Sequence, residues 1–449
     1  MIQRLVRIYY PKIEVTNPER IPPAGPVLFV ANHANSLIDP VIVGITARRP
    51  VHFLAKAPLF DMLVLGPAMR ALGMIPAFRG VDDPSQVKRN LDSLAAAAVY
   101  LVKGEAVGLF PEGKSHDLPK VEQVRSGAAR IAVKAVQDGA CELRIVPLGL
   151  NFETKERFRT SIWVRVGEPI HARDWIAQHG EDERRAMRSL TTEIDRRLKE
   201  VVVHLNEESW EPLLHDLEVL RPAPPERAHL PVAALRQRKR IADAINHFLA
   251  TDPPRADSVA SAIQAHRECL AAAGLKIQAI ILRLRGVPIL LRLLWDLVCL
   301  LIGAIPAFCG LLHHLIPFLV VRLLTPRLQA PGRATIALTR LCLSAPIYAV
   351  WYAAVWLWMA RYFSPRIAWF WLLAMPFAGV FAVNYGRRFR AAVGLWMSEV
   401  RMLLQRPRLE TFRREQLALR QRLNELADEY AKVCPPEPSP PVAHSQAAL

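Results

Sequence analysis

At 449 residues the chain has room for several domains, and 52% hydrophobic residues exclude an ordinary soluble protein, so a membrane-embedded part is expected. The formal net charge of +17, from 58 basic and 41 acidic residues, suits a protein that lies against anionic lipid and handles anionic substrates. Nucleic acid is set aside as a partner, because no zinc, helix-turn-helix or RNA-binding signature occurs and the arginines flank apolar helices.

In chain order, residues 1–20 read as a short basic helix and then an extended segment that ends at Pro22-Pro23. The helix is either an interfacial anchor or the first helix of the fold. The apolar part of Met1–Tyr10 is too short for a signal peptide, which places the first domain on the cytoplasmic side. Val27-Leu-Phe-Val30 reads as a buried strand, so His33, just past its end, lies where α/β folds keep their chemistry. An imidazole there can take a proton from an alcohol if a carboxylate steadies it, and Asp39 is the nearby acid; a histidine that merely caps a helix is the alternative. A helix over 40–47, a strand over 51–56, a helix over 84–103 capped by Asp83 and stopped by Gly104, and a strand over 106–110 continue a βαβ pattern. A helix from Ser126-Gly127, strands over 144–150 and 161–166, and a helix over 181–205 with apolar residues at three-or-four spacing complete an α/β unit with a mostly parallel sheet.

Four segments of that unit, Asn32-His33…Asp39, Phe78-Arg79-Gly80, Phe110-Pro111-Glu112-Gly113 and Val146-Pro147, resemble in order and spacing the four sequence blocks of the glycerolipid acyltransferases, the family of glycerol-3-phosphate and 1-acylglycerol-3-phosphate acyltransferases. The resemblance spans roughly residues 1–210. It implies acyl transfer from a thioester, acyl-CoA or acyl carrier protein, to a hydroxyl of a glycerol-phosphate-type acceptor, with no metal or other cofactor. It makes His33 the base and Asp39 its orienting partner. Phe78, Arg79 and Gly80 become the block whose arginine holds the acceptor phosphate, and Phe110, Pro111, Glu112, Gly113 and Lys114 the acceptor-binding block. Val146 and Pro147 shape the pocket. Two features depart from the family pattern. Five residues rather than four separate His33 from Asp39, which on a continuous helix turns the acid by about 100°, so a turn is needed between them. Lys114-Ser115-His116 also follows Gly113, and Lys114 offers a second phosphate contact.

Residues 211–286 are polar and mostly helical, with Pro-rich breaks at 222–225 and 252–254. Apolar runs follow at 288–324, 334–360 and 367–385. The last two fit single spans. The first, interrupted by Gly303, Pro306 and Gly310, reads as a helical hairpin or re-entrant pair in which Arg292 and Asp296 neutralise each other. Basic clusters at Arg322, Arg327 and Arg333 and at Arg387, Arg388 and Arg390 then lie on the cytoplasmic face of the cell inner membrane, with the catalytic domain. The six cysteines, three in apolar runs, lack metal spacing and read as small core hydrophobes. The expected organisation is a catalytic domain over 1–210, a helical linker over 211–286, transmembrane helices over 287–386, amphipathic helices over 387–432 and a disordered tail over 433–449. A membrane-bound acyltransferase of phospholipid synthesis is the leading expectation; a non-catalytic membrane scaffold or transporter component that keeps such a domain is the alternative.

Overall fold

The computed structural model describes residues 2–61, 65–78, 87–116, 120–179, 182–223, 232–277, 289–328, 336–404 and 406–435. Of the expected features, Arg79, Gly80, the Asp83 cap, Arg333 and the tail from 436 on lie outside them.

The N-terminal unit is built on an eight-stranded sheet: β1 (Lys12–Thr16), β2 (Val27–Ala31), β3 (Val51–Lys56), β4 (Ile75–Ala77), β5 (Ala106–Leu109), β6 (Arg144–Phe152), β7 (Ser161–Val166) and β8 (Ile170–His171). The order is β1-β7-β6-β2-β5-β3-β4, with β8 on β6. All pairings are parallel except those of β6 with β7 and β8. The mostly parallel sheet expected from the βαβ pattern is therefore present, and β1 takes the extended segment after the first helix into its edge.

β2 is central and buried along its whole length, which is why it reads as an uninterrupted apolar run. Its side chains alternate between two cores. Leu28 and Val30 meet α4 (Val87–Val102), α5 (Gly127–Gln137) and α7 (Glu183–Val201); Val27, Phe29 and Ala31 meet α1 (Ile2–Tyr9) and α2 (Ile38–Ala47). Val6 and Tyr9 of α1 are buried in that second core, so α1 serves as the first helix of the fold. The helix α4 ends as expected at Gly104, whose φ of +78° lets its N–H close back on Leu101 O at 2.9 Å. The shorter α3 (Leu65–Ala71) and α6 (Ala172–His179) complete the unit.

The linker carries α8 (Glu211–Leu220), α9 (Ala233–Thr251) and α10 (Pro253–Ala272), followed by α11 (Ile289–Leu328), α12 (Ile336–Tyr362), α13 (Pro365–Leu404) and α14 (Arg406–Val433). Three of these, α11 to α13, are long and apolar enough to cross a membrane. They leave Ile302, Ile305, Phe308, Phe370 and Phe377 more than three-fifths exposed, the pattern of a helix meant for lipid.

The expected hairpin over 288–324 is corrected here, since α11 is one helix of 40 residues with Pro306 and Pro317 inside it. Its glycines mark a helix contact instead of a turn. A Cβ on Gly310 would lie 2.2 Å from the Ala378 carbonyl oxygen of α13, and one on Gly303 would lie 3.1 Å from the Tyr385 ring. Asp296 pairs with Arg388 of α13 at 3.1 Å, across helices; the side chain of Arg292, its expected partner, lies outside what is described. The cysteines also differ from expectation. Five are exposed and Cys299 is half-buried, because a helix apolar on every side needs no core to hold a thiol. Finally, the domain limit expected at 386/387 falls inside the continuous α13, and α14 joins α8, α9 and α10 in a single apolar core.

Candidate active site

His33 sits two residues past the end of β2, on the loop that leads into α2. Its Nδ1 is 2.9 Å from Oδ2 of Asp39, which lies in the first turn of α2 and is wholly buried. The five intervening residues form the turn that the spacing demands. Ser36 adopts φ +46°, and the N–H groups of Ile38 and Asp39 close on the carbonyls of Asn35 and Ser36 at 3.0 and 3.2 Å. The same carboxylate oxygen accepts from Asn35 N–H at 2.7 Å, so the turn is tied to the acid it presents. With Nδ1 committed to Asp39, Nε2 is the nitrogen left to exchange a proton. The imidazole is 19% exposed and stacks on Phe110 with centroids 4.3 Å apart, so it is accessible on one side only.

Neighbouring strands fix the loop. Asn32 exchanges two hydrogen bonds with the backbone of Leu150 on β6, at 2.7 and 3.1 Å. Glu112, at the end of β5, is fully buried. Its Oε1 accepts from His33 N–H at 2.9 Å, and its Oε2 accepts from Glu122 N–H at 2.9 Å and contacts His116 Nε2. His116 is thereby engaged with Glu112, as His33 is with Asp39. Gly113 takes φ +75°, a conformation costly for any side chain, and its N–H closes on Phe110 O at 3.0 Å. Pro111 accepts from Arg125 N–H through its carbonyl at 3.0 Å. Lys114 is exposed and pairs with Glu122 at 3.0 Å.

The remaining block residues lie further out or deeper. Phe78 carries the Arg89 guanidinium 3.9 Å over its ring. Val146 and Pro147 are buried inside β6, opposite Phe29 and Val30 of β2, so they form the floor under the loop and do not line its surface.

Three residues absent from the sequence reading complete the site. Lys155, in the turn after β6, donates from Nζ to Ala34 O at 3.1 Å and His116 O at 3.0 Å, bridging the loops that carry His33 and Glu112. Tyr10, wholly buried, donates to Lys155 O, and Asn35 Nδ2 donates to the Tyr10 oxygen at 2.8 Å. Burial pushes the Tyr10 hydroxyl pKa well up, so it stays a neutral donor. Asn35 lies inside the His…Asp segment and was legible there; the other two carry no local signal.

A histidine held by a buried carboxylate at the end of a central parallel strand, beside a clamped Glu-Gly turn, is the arrangement that the N-terminal unit presents. The Acyltransferase family model matches residues 12–151. A 1-acyl-sn-glycerol-3-phosphate acyltransferase of Bacillus subtilis is 27% identical over 195 residues, 42% of this chain and 87% of that protein. An uncharacterized acyltransferase of Schizosaccharomyces pombe is 24% identical over 37% of each chain. Glycerol-3-phosphate O-acyltransferase 2 of Saccharomyces cerevisiae is 34% identical over 18% of this chain and 11% of its own length. The matched part thus spans about a third or less of these two fungal relatives. Residues 12–151 of the N-terminal unit thus match the Acyltransferase family model, and the relatives similar to it include glycerolipid acyltransferases.

Proposed function

We propose that the chain is a membrane-bound O-acyltransferase that moves a fatty acyl group from acyl-CoA or acyl carrier protein to a hydroxyl of a glycerol-phosphate-type acceptor: glycerol 3-phosphate, dihydroxyacetone phosphate or lysophosphatidate. The observation that carries this reading is the His33–Asp39 pair, half-open at the end of β2. His33 Nε2 removes the acceptor's hydroxyl proton while the oxygen attacks the thioester carbonyl carbon. The C–S bond then breaks, and the imidazolium returns the proton to the departing thiolate. Asp39 steadies the charged ring in between. Glu112 is best read as the clamp of the His33 loop, since its oxygens already serve two backbone N–H groups and His116. By the family pattern, Arg79 takes the acceptor phosphate, which a guanidinium can hold in a bidentate grip. The bilayer is the further partner, with the domain on the cytoplasmic side of the inner membrane, as the arginines at 322, 327, 387, 388 and 390 favour.

The test is acyl transfer by membranes carrying the protein, with the three labelled acceptors and both thioester donors offered in parallel. His33→Ala should lower turnover by about 10²–10⁴-fold, the usual worth of general-base catalysis, with unchanged membrane insertion. Retained turnover in that variant and its loss in His116→Ala would transfer the base to His116. No transfer by the wild type to any acceptor would favour a scaffold.

A further inference from the structure

Away from the catalytic domain, the helices that follow it enclose a cavity for which acyl transfer at His33 has no use. α8, α9, α10 and α14 share one apolar core, and between them lies a pocket of about 690 Å³, its mouth included. Its walls are aliphatic, with Leu217, Ile241, Ile245, Val259, Leu423 and Leu426 among them. A bundle under selection only for packing has no use for an aliphatic cleft that opens at the surface. It would also gain nothing from lining the space with like charges, yet Arg221, Arg240 and Arg255 do so.

Arg255 is neutralised by Glu429 at 2.8 Å. The other two are not. Arg221 Nε donates to the uncharged Asn424 at 3.3 Å, and Arg240 lies 6.0 Å over the Tyr430 ring; neither forms an ion pair among the described residues. Burial and the nearby Arg240 charge push the Arg221 pKa down, against a smaller opposing pull from Asp428. Two guanidiniums at the rim of an aliphatic cavity match a phosphate monoester joined to a hydrocarbon chain, the head held by bidentate hydrogen bonds and the chain removed from water.

We propose that this cavity is a lipid site, distinct from the acyl-transfer centre, which binds a single-chain anionic lipid with its chain between α9 and α14 and its phosphate on Arg221 and Arg240. It shares no residue with the His33 site and stands whether or not that site transfers acyl groups.

Hexadecyl phosphate carrying a diazirine in its chain tests this. It has no hydroxyl to acylate and no thioester to donate. With the full chain in phosphatidylcholine nanodiscs, irradiation should cross-link the probe saturably to peptides from 241–248 and 423–430, read by mass spectrometry. Unlabelled hexadecyl phosphate should compete, whereas inorganic phosphate and hexadecanol should fail to do so at the same concentration. Ala244→Trp, which fills the cavity, should abolish the cross-link. The Arg221→Gln/Arg240→Gln double variant, which leaves the core untouched and keeps the parent's melting temperature, should raise the half-saturating concentration at least tenfold. Cross-links confined to the catalytic domain or to α11–α13, equal competition by hexadecanol, or labelling indifferent to the double variant would each overturn the proposal.

Discussion

The ammonium of Lys155 joins the two loops on which the candidate base and its clamp are carried. Lys155→Met keeps the aliphatic stem and removes the charge-assisted hydrogen bonds, each worth about 1.5–3 kcal/mol. Its turnover number should fall by roughly 10–100-fold, while KM for both substrates shifts little, and Lys155→Arg should recover part of the loss. Steady-state kinetics decide: an unchanged kcat would make Lys155 a surface contact. The contrast with His33 shows what could be read beforehand. His33, Asp39 and Glu112 sit in short segments whose order carries the signal, and the turn that Ser36 makes solves the extra residue between base and acid. Lys155 reaches Ala34 across 121 residues and His116 across 39, and Tyr10 reaches Lys155 across 145, separations that no local pattern announces.

The clearest departure among elements is α11. Gly303, Pro306 and Gly310 would break a helix in water, but in a membrane-type bundle small residues permit close approach and neighbouring helices tolerate proline. Gly310→Leu should therefore force α11 from α13 and lower the melting temperature in detergent by roughly 5 °C or more. Gly44→Ala, in α2 with nothing within 4 Å of the added atom, should cause no fall. A second element-level prediction concerns His204, at the seam between catalytic domain and linker. Its Nδ1 accepts from Val121 N–H at 3.0 Å, and burial, aided by the Lys199 charge, lowers its pKa to about 4. The folded state thus holds the ring neutral, whereas the unfolded chain protonates it near pH 6.5. Its contribution is complete above pH 6.5 and is lost as pH falls toward 4, on the order of 2–3 kcal/mol. Chemical-denaturation midpoints between pH 7 and 4.5 should decline in the parent and decline less in His204→Gln; identical slopes would reject this source.

For the whole molecule, the membrane arithmetic follows from where the chain returns. α14 shares its core with α8, α9 and α10, and Arg401 at the end of α13 donates to Gly274 O at 3.0 Å. With the catalytic domain and the C-terminal helix expected on one side of a bilayer, an even number of crossings is required, although three helices are long enough to cross. The antiparallel α12 and α13 meet the requirement, with Arg340 and Arg387 both reaching the catalytic domain and the Phe363-Ser364 turn at the far end. As one unbroken helix of 40 residues, α11 is the third that is long enough to cross. In a background lacking the six native thiols, a cysteine at Ser364 should react with an impermeant reagent on intact cells, and one at Gln421 only after permeabilisation. Reaction at Gln421 in intact cells would require an odd number. Composition made the apolar region legible, but the union of linker and C-terminal helix was not, because an amphipathic face does not declare its partner.

Arg340 of α12 donates to Glu156 O at 2.9 Å, and Arg387 of α13 to the carbonyls of Phe158 and Arg159. These are the backbone atoms of the turn that carries Lys155. α12 and α13 therefore hold, through two guanidiniums, the turn that ties the His33 loop to the Glu112 loop. A change in the tilt of either helix would reach the candidate base through that turn before it reached any other part of the sheet.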